Sequence, residues 1–186
     1  GGAAAADGGT AAVDALLRDP PQHDLALLRP LDALSGAAKV ADVDVPSTKK
    51  DEKKHSSGEL GALTWYLMLS ERMSPAKALS VVDGWGGDSY VAFDRDGTSC
   101  VKATYAGRSA RDTASMQRAL KRGSRAAPEA GTKVRREGDV VALSTCDPGT
   151  AATVGSDSSA RALELAMTRA YVGVTIVKSG VESRVA

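Results

Sequence analysis

Aromatic rings are scarce in this 186-residue chain, which has one Phe, two Trp and four Tyr, or 4% of its residues. Ala, Val and Leu must therefore build most of the interior, and no row of rings is present on which nucleic-acid bases would stack. Net charge is equally small. Lys and Arg total 24 against 23 Asp and Glu, a formal +1, which excludes bulk attraction to nucleic acid or to an anionic membrane. No apolar run approaches the roughly 20 residues that span a bilayer, so no transmembrane segment is expected. Histidine and cysteine occur twice each. His-Glu-x-x-His, Cys-x-x-Cys, Gly-x-Ser-x-Gly and a phosphate-binding glycine loop are all missing. No self-contained active site is legible, and no catalytic or metal-ligating residue is assigned.

What is present is an α+β pattern of ordinary composition, 42% hydrophobic and 25% charged, long enough for one good core. It is organised around Gly84-Trp85-Gly86-Gly87-Asp88. Ser74 and Pro75 read as the cap and first position of a short helix running to Asp83. Gly84 reads as its left-handed stop, and Gly86-Gly87 as a tight reversal in which a Cβ would obstruct. Tyr90 to Phe93 then runs as a strand into the turn Asp94-Arg95-Asp96-Gly97.

Before that elbow, the small residues of the opening are expected to fray, and neither a signal peptide nor a plausible translation start is seen there. This suggests a processed or trimmed piece of a longer protein. Residues 11–18 read as a short helix ended by Pro20-Pro21, and Asp24 as the cap of a second, Leu25 to Leu28. Leu31 to Leu34 extend an apolar surface. Pro46 to Ser57, with four lysines and two interleaved acids, reads as a charged, solvated linker. Gly58 opens a helix over Glu59 to Met73, with Leu60, Leu63, Tyr66, Leu67 and Met68 as its apolar surface and Trp65 nearby. Trp65, Tyr66, Trp85 and Tyr90 are the rings from which a ligand or partner surface would be built, although core packing is the commoner use of such residues.

Beyond the elbow, Tyr90–Phe93 and Thr98–Tyr105 flank Asp96-Gly97, a strong hairpin signal. Arg108 to Arg122 reads as a helix with Ala114, Met116 and Leu120 inward and Arg111, Arg118, Arg122 and Arg125 near one outer face. Thr132–Arg136 and Val140–Cys146 make a second hairpin through Glu137-Gly138-Asp139. The strand–strand–helix–strand–strand order describes a small antiparallel sheet covered by a helix, packed with the N-terminal helices. Residues 156–178 read as a C-terminal helix, and residues 172–177 fit a strand as well. The chain is expected to form a single domain or domain fragment: an N-terminal helical segment (1–45), the linker (46–57), a helical pair (58–83), the sheet unit (84–147) and the last helix.

Cys100 and Cys146 fall in the second and fourth strands. An even count with both ends in one sheet suits a disulfide formed in an oxidising compartment, which predicts a secreted or cell-envelope location. The alternative is a pair of inert core thiols. His23 and His55 fall in loops or at helix edges.

Three stretches together resemble the C-terminal half of exported gluzincin-type metallopeptidase-like proteins of bacteria and archaea. Gly8-Gly9, Ala12 to Ala15, Pro20-Pro21 and Leu27-Leu28-Arg29-Pro30 are similar to that family's Gly-Gly, helix, Pro-Pro, Leu-His-Pro segment. Gly58-Glu59-Leu60-Gly61 resembles its Leu-Gly-Glu-Leu-Gly helix start. Ala76 through Gly84-Trp85-Gly86-Gly87-Asp88 resembles its Gly-Trp-Gly-Gly-Asp block, and Asp112 and Met116 fall where the family has Asp-Ala-x-x-Phe. In that family the zinc-binding His-Glu-x-x-His helix lies upstream of the Pro-Pro segment, and the histidine before proline is Arg29 here. The resemblance therefore carries no zinc ligand onto this chain, and zinc enters only through an upstream half.

Three functions follow as expectations. One is a non-catalytic envelope domain with a binding or structural role, its partner another envelope protein or its own N-terminal half. Another is part of an active zinc peptidase whose catalytic half is absent from this chain. The last is a small-ligand-binding lipoprotein domain.

Overall fold

The structure, a computed structural model, describes residues 9–11, 14–15, 17–34, 40–126 and 128–151. The described residues before Asp19 are helical, as expected from residue 11 onward, and the helical conformation already includes Gly9 and Thr10, part of the opening expected to fray. Two short helices follow, α1 (Leu25–Leu28) and α2 (Pro30–Leu34). Strand β1 (Lys53–Gly58) precedes helices α3 (Gly61–Ser70) and α4 (Pro75–Val82). Next come β2 (Trp85–Arg95), β3 (Thr98–Gly107), helix α5 (Ala110–Ala126), β4 (Lys133–Glu137) and β5 (Val140–Cys146). The C-terminal helix read over residues 156–178 lies outside the described residues.

The chain is α+β, and both hairpins form. The first turns through Asp96 (φ 50°) and Gly97 (φ 76°), the pair of positive angles that matches the twist of its strands. The sheet, however, has five antiparallel strands in the order β1-β2-β3-β5-β4. The fifth comes from the segment read as a solvated linker. β1 is Lys-Lys-His-Ser-Ser-Gly, exposed along its whole length, and it adds to the edge of β2 from Lys53 opposite Asp94 to Gly58 opposite Tyr90. Backbone pairing holds it, so it lacks the apolar alternation by which strands are read. Its lysines suit an edge strand, where charge discourages pairing with other chains.

The two sheet faces follow from register. Tyr90, Ala103, Leu143 and Val134 form one cross-strand row, and Asp88, Tyr105, Val141 and Arg136 another, both on the face covered by helices. The core lies between this face and α3, α4 and α5, with Trp65, Trp85, Tyr105 and Met116 fully buried in it. Trp65 meets Tyr105 edge-on, centroids 5.5 Å apart and planes at 82°. The inner residues of α3 are Ala62, Trp65 and Leu69; Leu67 and Met68, expected on the apolar surface, are exposed. The helix is apolar nearly all round, so spacing could not choose its inner side. On α5, Met116 and Leu120 point inward as expected, joined by Thr113 and Ala119.

On the other face, segment 40–52 crosses the sheet above β2 and β3. Ala41 N–H donates to Gly86 O (2.6 Å), Ser89 Oγ to Asp44 O (2.6 Å) and Lys102 Nζ to Ser47 O (3.0 Å). The segment ends on Glu52, a buried carboxylate that accepts from Lys49 N–H, Arg95 and Lys102. Arg95 and Lys102 also lie over the ring of buried Phe93. Burial by itself would raise the Glu52 pKa, but the Lys102, Lys49 and Arg95 hydrogen bonds outweigh it and bring it down from 4.5 to about 2.

Beside Phe93, Cys100 and Cys146 are directly opposed on β3 and β5 and joined in a disulfide, with Cα atoms 4.0 Å apart. Asp147 N–H donates to Ser99 O one position along. The cysteines therefore occupy the non-hydrogen-bonded type of pair, where facing residues come closest.

Candidate functional site

The three stretches singled out in the sequence converge on the N-terminus of α3. A helix start presents N–H groups with no partner inside the helix. Here two carboxylates divide them. Asp88 accepts from Leu60 N–H (2.7 Å) and Gly61 N–H (3.1 Å), and Asp24 from Ala62 N–H (2.7 Å) and Leu63 N–H (2.8 Å). Negative charge is favourable at this end of the helix dipole. Asp88 also accepts Trp85 Nε1–H at 2.7 Å, so the indole holds the carboxylate that holds the helix. Asp24 sits at the N-cap position of its own α1, as expected, but makes no side-chain bond there.

The glycines of the motif make this approach possible. Gly61, at φ +80°, has its Cβ position 2.6 Å from the Asp24 carboxylate, and Gly87, at φ +146°, lies against the Ala41 carbonyl. A Cβ at Gly86 would lie 2.8 Å from Arg108 N. Gly84 does not take the left-handed conformation expected of a helix stop. It is needed for closeness, since its Cβ would meet the side chain of Asp112 at 2.6 Å. Asp112 is held there by Ser109, whose hydroxyl accepts from Asp112 N–H and donates to its carboxylate, a local cap on α5. Ser74, read as the cap of α4, makes no side-chain cap bond, while Pro75 does occupy the first turn.

Of the four rings from which a ligand or partner surface would be built, the two indoles are corrected by this geometry. Trp65 and Trp85 are fully buried, because both indoles plug the space between α3 and the sheet; Tyr66 and Tyr90 are half-buried at its margin. His23 lies beside Trp85, centroids 5.9 Å apart, with Nδ1 3.0 Å from Glu59 Oε1. Both side chains are about one-third exposed, at 37% and 34%. They open onto a cavity of about 380 Å³ whose wall includes Ala41, Asp42, Asp88 and Ser89. A His–Glu pair can exchange a proton with a bound molecule, but the Ser89 hydroxyl beside it is directed to the Asp44 carbonyl. Sequence reading missed this pairing because residues 23 and 59 are brought together only through the capping of α3.

Arg29 pairs with Asp32 (2.7 Å) and Asp83 (3.3 Å), fastening the α1–α2 turn to the end of α4. His55 pairs with Asp94 at 2.8 Å across the β1 edge, and that hydrogen bond holds the Asp94 carboxyl below its usual range. Among the described residues, no group of three or more His, Cys, Asp or Glu is placed to hold a metal. No described helix is long and apolar enough to cross a membrane. No family profile matches the chain, and comparisons with curated proteins and with solved structures find no match either.

Proposed function

We propose that this chain is a non-catalytic extracytoplasmic domain with a binding or structural role, related to the metallopeptidase-like proteins it resembles. The observation that carries this reading is the engagement of the convergent motif. Asp24, Asp88 and the Trp85 indole are all committed to holding α3, so the block that carries the resemblance works as a clamp in this chain. The Cys100–Cys146 disulfide supports an oxidising compartment, where such bonds form and persist. In this reading the partner is another envelope protein or the protein's own N-terminal half.

The test is zinc titration of the purified chain by calorimetry, followed by an assay of unstructured peptides with and without chelator. Absence of both stoichiometric zinc uptake and chelator-sensitive hydrolysis is expected. Zinc held by two or more protein donors, together with hydrolysis, overturns the reading and restores the peptidase.

A further inference from the structure

The open face of the sheet carries a trough that the clamp does not use. In the middle of β5 this face presents small side chains, Ala142 and Ser144, between Val140 and the disulfide-bonded Cys146. The strands on either side present long ones. Lys133 and Arg135 of β4 lie opposite Ser144 and Ala142, and Lys102 of β3 lies on the other side of Ser144. Short residues between long ones leave a channel of about 410 Å³, closed on its far side by Pro46, Ser47 and Lys49 of the crossing segment.

Its charge is one-sided. Lys49, Lys102, Lys133 and Arg135 line it against one carboxylate, Glu137. Lys102 is already bonded to Glu52. The side chains of Lys49, Lys133 and Arg135 have no ion-pair partner among the described residues, and all three are exposed. Hydroxyls of Ser144 and Thr104 add donors along the floor. Two strand spacings separate the Lys102 and Lys133 backbones, roughly 10 Å, and two residues along β4 separate Lys133 from Arg135, roughly 7 Å. Those spans exceed a single phosphate and suit linked ones, with the arginine fork able to grip one group bidentately. No aromatic ring lines the trough, so it offers phosphates a site and bases no platform.

We infer that this trough is a binding site for a ligand carrying two or more linked phosphate groups, gripped by Lys49, Lys133 and Arg135. The inference rests on the binding-domain reading above and names its ligand class. It extends to a short free oligophosphate and a phosphate polymer alike.

The probe is tripolyphosphate, titrated into the disulfide-intact protein by calorimetry, with inorganic phosphate and long-chain polyphosphate as further arms. Tripolyphosphate is expected to bind about tenfold or more tightly than phosphate and to weaken as salt rises. Polyphosphate binding tighter per chain than tripolyphosphate assigns the polymer as source; equal binding assigns the short form. Lys133→Gln/Arg135→Gln, on an exposed edge strand, should weaken binding about tenfold. Arg118→Gln/Arg122→Gln, on the exposed outer face of α5 across the sheet, should leave it unchanged and reports non-specific attraction. Equal loss in both variants, no tripolyphosphate binding, or preference for an oligothymidylate over polyphosphate of equal charge overturns the inference. Zinc-dependent hydrolysis would overturn the non-catalytic reading without altering any of these outcomes.

Discussion

Asp24 and Asp88, one from the turn before α1 and one from β2, share the leading N–H groups of α3 between them. The helix start is thereby fixed to the N-terminal segment and to the sheet at once, and Trp85 braces the arrangement from the core.

The two carboxylates should differ in weight. Asp88 is 5% exposed and takes three donors, so Asp88→Ala strands buried N–H groups and should destabilise by about 3–5 kcal/mol. Asp24 is half-buried, and Asp24→Ala should cost about 1–2 kcal/mol, the range of a lost helix cap. Urea unfolding of both variants checks the order; equal losses would mean that the cap alone matters.

Trp85 acts both as a plug and as a donor, and two variants separate these. Trp85→Ala empties a fully buried site and should destabilise by about 3–5 kcal/mol. Trp85→Phe keeps most of the volume but leaves Asp88 without the indole donor, at about 1–3 kcal/mol. A change below about 0.5 kcal/mol for the alanine variant would place the ring outside the core.

Glycines with equal freedom in the sequence should respond with opposite signs. Gly84→Ala drives a Cβ into Asp112 and should destabilise by about 1–3 kcal/mol. Gly123, within α5, faces only the Arg72 side chain at 3.7 Å, so Gly123→Ala should stabilise by about 0.5–1 kcal/mol. Thermal unfolding of the pair reads both signs.

The Cys100–Cys146 bond closes a loop of 46 positions, for which chain entropy predicts about 4 kcal/mol of stabilisation. Replacing both cysteines with alanine should lower the urea midpoint accordingly. An unchanged midpoint would mean that the strand pairing already restrains the unfolded chain.

Glu52 predicts an acid limb in the stability curve. Its folded pKa, about 2, lies below the ordinary 4.5, so its ion pairs stabilise the protein fully above about 4.5 and are lost as pH falls from there toward 2. Glu52→Gln should flatten this part of the curve. An unaltered acid limb in the variant would assign it to other carboxylates.

The sequence by itself determined both hairpins and the helix between them, and it favoured the disulfide that strand pairing then brought together. Those signals are local: turn residues with fixed angular demands, alternation between two faces, and two cysteines on strands of one sheet. It also located Trp85 and Asp88 in the organising block. Only the tertiary structure decided what the block does. The Trp85–Asp88 bond is close in sequence, but the N–H groups that Asp88 holds belong to α3, and no spacing rule connects Gly61 to Asp24. Tertiary pairing likewise made a strand of Lys53–Gly58, because an exposed edge is held by backbone bonds that carry no side-chain pattern. The basic trough on the open face arose the same way. Lys49, Lys102, Lys133 and Arg135 look like scattered surface charges until strand register sets the last three around Ala142 and Ser144 and the crossing segment brings Lys49 over them.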